Sequence, residues 1–289
     1  MDSALVAASV TGGAERPGDG GPDDAGAARL GTRLVIVRHG EAVCNAEEYI
    51  GGHASCRGLT KRGVRQAEAL ASRLARTREL DGAAAFYTSV LPRAIETAEI
   101  LAPALGGVRF AESCSLCERH AGEADGLTWS QYSERYRRRS LPGDDPDTPL
   151  APGGESWAGF VDRASSALVA LVDAHPGGLV VVVAHGGVID SSMISFLGLD
   201  GHGSAVRLHP EHASLTEWQH IGSKWRLVRY SDSAHLLAGE DGAGRDAELL
   251  STPPPWVVAE PHPDADPAAA RGPRSAGRVG CAEAPGQQA

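Results

Sequence analysis

The nine residues from Arg33 to Glu41, R-L-V-I-V-R-H-G-E, constrain the fold more than any other stretch of the chain. Leu34–Val37 is a continuous apolar run rich in β-branched side chains, which suits a strand buried on both faces. Gly40 gives the backbone freedom to turn just beyond it. Arg38 and His39 therefore stand at the carboxyl edge of a sheet, and open α/β sheets bind their ligands outside that edge. A second run, Leu179–Val183, ends in A-H-G-G, so His185 repeats the placement of His39. Helical patterns follow both runs, which makes the strands parallel members of one sheet. The expected fold class is α/β: a three-layer α/β/α sandwich with a mostly parallel central sheet.

The rest of the pattern fills in that architecture. Thr60 reads as the N-cap of a helix from about Lys61 to Thr77, whose buried stripe is Val64, Ala67, Ala71 and Leu74. Ala83–Thr88 is a strand, and Pro92 suits the first turn of a helix continuing to Leu101, with Arg93 beside it. Phe110 to Glu118 reads as a short strand leading into an active-site loop. Trp129 to about Arg138 reads as helix, and the Pro- and Asp-rich Gly143–Gly154 as a surface loop. Glu155–Ala174 places Trp157, Phe160, Val161, Ala164, Leu168, Leu171 and Val172 on one helical face. Val188–Leu197 is a further helix. Ser214–Gln219 and Trp225–Tyr230 form a hairpin closing one sheet edge. Residues 32–238 make one domain, near the upper size for a single core. Residues 1–31 and the Pro/Ala/Gly-rich residues 239–289 are expected to be disordered, with Trp256 the one tail side chain suited to docking on the domain.

Composition narrows the function. A net charge of −10 and a pI near 5.5 give nucleic-acid binding no electrostatic support. No apolar run approaches the roughly 18 residues of a membrane span, and the N-terminus lacks a basic leader segment. A cytoplasmic enzyme is the expectation. Five cysteines, an odd count in a long chain, argue against a disulfide framework. Cys114 and Cys117 form a lone C-x-x-C; with no second pair to complete a metal site, they read as ordinary half-buried thiols. His202, His209 and His212 read as a solvated loop without compact ligand spacing. Arg135, Arg137, Arg138 and Arg139 read as an exposed helix face, or alternatively as a rim for a second anionic group.

Three strand ends thus bring together Arg38, His39, Arg93 and His185, a cationic pocket in an acidic protein. Its natural ligand is a phosphoryl group, because guanidinium presents a planar fork matched to phosphate oxygens. Neighbouring arginines favour a neutral, nucleophilic imidazole. Covalent catalysis by histidine then divides one hard displacement into two easier ones. Two arginines and a second histidine can stabilise the equatorial oxygens without a metal ion or other cofactor. The leaving alkoxide needs a proton. Glu118 is the best placed donor, with Glu112, Glu123 and Asp125 as competitors.

The motifs taken together resemble the histidine phosphatase superfamily, which includes the cofactor-dependent phosphoglycerate mutases. The matching pieces are R-H-G-E at 38–41 with Asn45, G-L-T-K-R-G at 58–63 with Gln66-Ala67, and Y-T-S-V-L-P-R-A-I-E-T-A at 87–98. E-R-H-A-G-E-A-D-G at 118–126, G-G-E-S at 153–156 and A-H-G-G-V-I at 184–189 follow in the family's order. The resemblance implies His39 as the phosphorylated nucleophile and Arg38, Arg93 and His185 as the phosphate pocket, with Asn45 and Gly186 as further phosphate contacts. It implies Glu118 as proton donor and then as base for water. Asp125 departs from the glutamate that many members carry, which affects the shape of its loop. Mutases of the family hold a long insertion between E-R-H and G-E-S, whereas Glu118 and Glu155 are only 37 positions apart here. The expected enzyme is accordingly a phosphoric monoester hydrolase of the histidine acid phosphatase type, acting on a small phosphorylated metabolite. A mutase-type phosphotransferase is the alternative, and a non-catalytic phospho-ligand binding module a more distant one.

Overall fold

A computed structural model describes residues 31–136, 146–199 and 208–237. Its six strands are β1 (Thr32–Arg38), β2 (Ala85–Thr88), β3 (Phe110–Glu112), β4 (Leu179–Ala184), β5 (Leu215–Ile221) and β6 (Lys224–Asp232). They form one sheet in the order β3-β2-β4-β1-β5-β6. The first four run parallel, β5 pairs antiparallel to β1, and the β5–β6 hairpin closes one edge, as expected.

Alternation along the two central strands builds both outer layers. Leu34 and Ile36 of β1, with Val180 and Val182 of β4, join one buried cluster with Phe160, Leu168, Val188 and Ile189. Val35, Val37, Val181 and Val183 turn to the other face and meet Leu70, Leu74, Ala94 and Leu101. The helices concerned are α5 (Trp157–Ala174) and α6 (Gly186–Leu197) on the first face, and α2 (Lys61–Thr77) and α3 (Pro92–Leu101) on the second. A side chain such as Val181, fully buried against a helix layer, contributes about 1.5–3 kcal/mol. The continuous apolar runs thus follow from a sheet covered on both sides.

Local signals set the helix starts. Thr60 Oγ1 accepts from Gly63 N at 3.0 Å, and Ser156 Oγ accepts from Gly159 N at 3.0 Å, so α5 begins two residues after the expected Glu155. Two short helices complete the set, α1 (Val43–Ala46), which the sequence pattern did not suggest, and α4 (Trp129–Tyr136). The reading of Gly143–Gly154 as a purely surface loop is corrected. Leu150 and Ala151 are buried with Ile50, Ala121, Ala124 and Tyr132, and Tyr132 Oη donates to Leu150 O at 2.8 Å. Apolar side chains in a Pro-rich segment carry no periodicity that would reveal their partner. The expected tails apart from Gly31, together with Trp256, His202 and Arg137–Arg139, lie outside the described residues.

Candidate active site

The carboxyl ends of β1, β2 and β4 bring His39, Arg93 and His185 together as a buried group. Arg93 Nε is 3.2 Å from His39 Nε2 and 3.2 Å from His185 Nδ1, sharing its proton between two imidazoles. His39 Nδ1 lies 2.6 Å from Gly40 O, and a carbonyl can only accept. The proton of neutral His39 is therefore on Nδ1, and the Nε2 lone pair points into the pocket. His185 has the opposite tautomer: its Nδ1 accepts from Arg93, and its Nε2 donates to Ser89 Oγ at 2.8 Å.

Burial first, then the charges of Arg93 and Arg38, hold His39 well below the ordinary histidine range. Burial, Arg93 and His39 do the same for His185. The free pocket accordingly takes its positive charge from the arginines, with both imidazoles neutral. Arg38 Nη1 donates to Pro210 O, and its buried Nε has no partner among the described residues. Gly186 opens α6 after the N-cap His185, so its backbone N–H belongs to a helix terminus suited to an anion.

Glu118 reaches this group from the loop after the turn Cys114–Leu116. Its Oε2 accepts from Gly187 N at 3.1 Å and its Oε1 from Arg119 N at 3.0 Å. A Cβ on Gly187 would lie 2.2 Å from Glu118 Oε1, so only glycine leaves room for that carboxylate. The three competitors are elsewhere. Glu112 is exposed at the end of β3, and Glu123 pairs with Arg135 at 3.1 Å on the surface. Asp125 accepts from Gly52 N at 2.9 Å, Ala54 N at 2.8 Å and Ser55 Oγ, and so shapes the 51–55 loop. Burial would raise its pKa, but these donors outweigh burial and lower it. Asn45 is exposed in α1, with its Oδ1 accepting from Ala42 N at 3.0 Å.

Packing explains the other motif residues. Glu41 accepts from Thr60 Oγ1 at 2.8 Å and Arg62 Nη1 at 2.9 Å, tying R-H-G-E to T-K-R-G. A Cβ on Gly40 would come 2.3 Å from Gly63 O, so two backbones cross there too closely for any side chain. In R-A-I-E-T-A, Glu96 Oε2 holds Leu59 N at 2.7 Å, and Thr97 Oγ1 accepts from Gly40 N at 3.1 Å.

Two groups were missed. His212, read as part of a solvated loop, is buried with its ring centroid 5.7 Å from that of His39, and burial and Arg38 hold its pKa well down. The loop places it there because β5 is antiparallel to β1, so the residues before β5 return to the carboxyl end of β1. That signal was available once the hairpin was placed beside β1. Asp190, one turn into α6, interacts with Glu118 and Arg38; burial, then Glu118, push its carboxyl up to about 8. The only hint was a single acid in the apolar G-G-V-I-D segment.

A family model for the histidine phosphatase superfamily (branch 1) matches residues 34–233. This chain belongs to that superfamily. An Arabidopsis thaliana relative, phosphoglycerate mutase-like protein 4, is 40% identical over 209 residues, covering 70% of this chain and 86% of its own. A metal-independent phosphoserine phosphatase of the same plant is 31% identical over 207 residues, 71% of this chain and 83% of that protein. Among solved structures, a mycobacterial glucosyl-3-phosphoglycerate phosphatase complexed with VO3 matches with a TM-score of 0.60 at 27% identity. The match covers 69% of this chain and 99% of the mycobacterial one. The superfamily's phosphatase and mutase-like members thus share this fold, and no helix among the described residues is long and apolar enough to cross a membrane.

Proposed function

We propose that this histidine phosphatase superfamily member hydrolyses phosphomonoesters of small metabolites through a phosphohistidine on His39, with no metal ion in the chemistry. The observation that carries the reading is the tautomer of His39: Nδ1–H is bound to Gly40 O at 2.6 Å, so the lone pair is on Nε2, where it accepts from Arg93 Nε at 3.2 Å in the free pocket and turns to phosphorus once the guanidinium binds the substrate phosphate. The substrate phosphate binds between Arg38, Arg93, His185 and the Gly186 N–H, with the Asn45 amide as a further donor. His39 Nε2 forms the N–P bond as the P–O bond to the alcohol breaks, and Glu118 gives its proton to the leaving oxygen. Water then attacks the phosphohistidine, Glu118 takes its proton, and the N–P bond breaks to release phosphate. Fixed guanidinium charges aimed at the equatorial oxygens supply the stabilisation that Mg²⁺ provides in many phosphotransferases.

The relatives named as phosphatases support this reading, and the VO3 held by the mycobacterial protein supports an oxoanion pocket. The 40% identity to a mutase-like protein favours the second reading, in which a phosphorylated product takes the group back from His39. The short span between Glu118 and Glu155 favours water. A panel of phosphorylated metabolites, assayed without added divalent ion, separates them. Phosphate released in equal amount to the free alcohol is the expected result. Isomerised phosphoester without free phosphate would make the chain a mutase, and activity appearing only with Mg²⁺ would refute metal-free chemistry.

A further inference from the structure

The C-x-x-C pair has two histidine partners, His120 three residues on and His53, which its sequence neighbourhood conceals. His53, Cys114, Cys117 and His120 each place one ligand atom within 4.8 Å of all the others. Cys114 Sγ is 3.4 Å from His53 Nε2 and 3.6 Å from His120 Nε2. Around a tetrahedral ion with Zn–S of about 2.3 Å and Zn–N of about 2.0 Å, sulfur and nitrogen ligands stand about 3.5 Å apart. The geometry points to a structural Cys₂His₂ zinc site, built from His53, Cys114, Cys117 and His120, beside the phosphate pocket and separate from it.

The surroundings are those of ligands held in place. His120 Nδ1 faces Glu155 Oε2 at 3.8 Å, and that carboxylate is fixed by Arg163 at 2.7 Å; a carboxylate behind a ligating imidazole orients it and raises its basicity. Arg163 also donates to Ser115 O at 2.9 Å and Cys117 O at 3.2 Å, holding the C-x-x-C turn and placing a positive charge beside the two sulfurs. Ser89 Oγ donates to Cys117 Sγ at 3.4 Å. Asp125 ties down the loop that carries His53 through Gly52 N and Ala54 N.

Two thiolates and two imidazoles select zinc over magnesium or calcium, and four protein ligands leave no open position for catalysis. Binding displaces the two thiol protons to solvent, leaving a neutral complex. A Cys114–Cys117 disulfide would use only half of the cluster, whereas zinc uses all four groups. Glu118 lies between Cys117 and His120, so the ion clamps the backbone of the proposed proton donor on both sides. It also joins that loop to the 51–55 loop, whose Gly51 O accepts from Arg93 Nη1 at 2.9 Å.

The test uses the full chain, reduced with a phosphine, exposed to Zn²⁺, gel-filtered and analysed for metal. About one zinc per chain is expected, as is a thermal midpoint that falls when a strong chelator removes it. Cobalt(II) should substitute with the intense visible bands of a tetrahedral thiolate site. Cys114→Ser and His53→Ala should abolish retention, and Cys56→Ser should keep it. Wild-type protein that retains no zinc after reduction and loading would overturn the assignment without recourse to any variant. Full retention in both Cys114→Ser and His53→Ala would overturn it equally.

Discussion

Asp190→Asn should stabilise the protein by an amount that grows with pH. Asp190 Oδ1 has no hydrogen-bond partner among the described residues, and burial with the nearby Glu118 charge pushes the carboxyl up to about 8, against the opposing pull of Arg38. In the unfolded chain an aspartate titrates near 3.9. Between these values the folded state keeps a proton that the unfolded state has lost, so rising pH favours unfolding, by up to about 1.4 kcal/mol per unit. Below the lower value both states are protonated and the penalty vanishes; above the higher value it is complete and constant. From pH 5 to pH 7 the full shift amounts to about 2.7 kcal/mol; relaxation around the ionised group reduces this to about 1–2 kcal/mol. Asparagine copies the shape of the neutral acid without titrating, so any fixed packing difference cancels in the slope. Urea unfolding of both proteins at pH 5, 6, 7 and 9 measures the gap. A gap independent of pH, or one wider in acid, would refute the account of this residue.

Three further substitutions separate proton transfer from phosphate binding. Glu118→Gln should slow the first step on alkyl phosphates by about 10²–10⁴-fold, while p-nitrophenyl phosphate, whose leaving group needs little proton assistance, suffers much less in burst kinetics; equal damage to both would make Glu118 structural. Arg93→Ala should slow the two substrates alike, since it removes a phosphate contact, and a selective loss on alkyl phosphates would contradict that role. Gly187→Ala forces a Cβ to 2.2 Å from Glu118 Oε1 and 2.8 Å from Phe160. It should cost about 1–3 kcal/mol of stability and reproduce the substrate selectivity of Glu118→Gln in weaker form; unchanged kinetics would place Glu118 elsewhere.

What could be read from the sequence was what local physics determines. The runs around Val35 and Val181, the Thr60 cap and the Pro92 helix start are decided by neighbours a few residues away, and they carry Arg38, His39, Arg93 and His185 to one sheet edge. Residues delivered by loops were not legible in the same way. His212 depends on where the hairpin packs, and Leu150 on a satellite cluster with no period. His53 stands 61 positions from Cys114 and reaches it on the 51–55 loop, which Asp125 and Arg93 tie back. His120, three residues after Cys117, was the part of that cluster in plain view. Burial is also the largest single cause of the neutrality of His39, ahead of either arginine, a ranking that composition cannot supply.

The central claim, a covalent phosphohistidine, is open to one direct measurement. The enzyme is mixed with a phosphomonoester labelled in its phosphoryl group, quenched within the first turnover, and divided between acid and alkali. A phosphoramidate on His39 predicts label on the protein that alkali preserves and acid removes, and none in His39→Ala. Label that survives acid and is lost in alkali would mark an acyl phosphate and contradict the account.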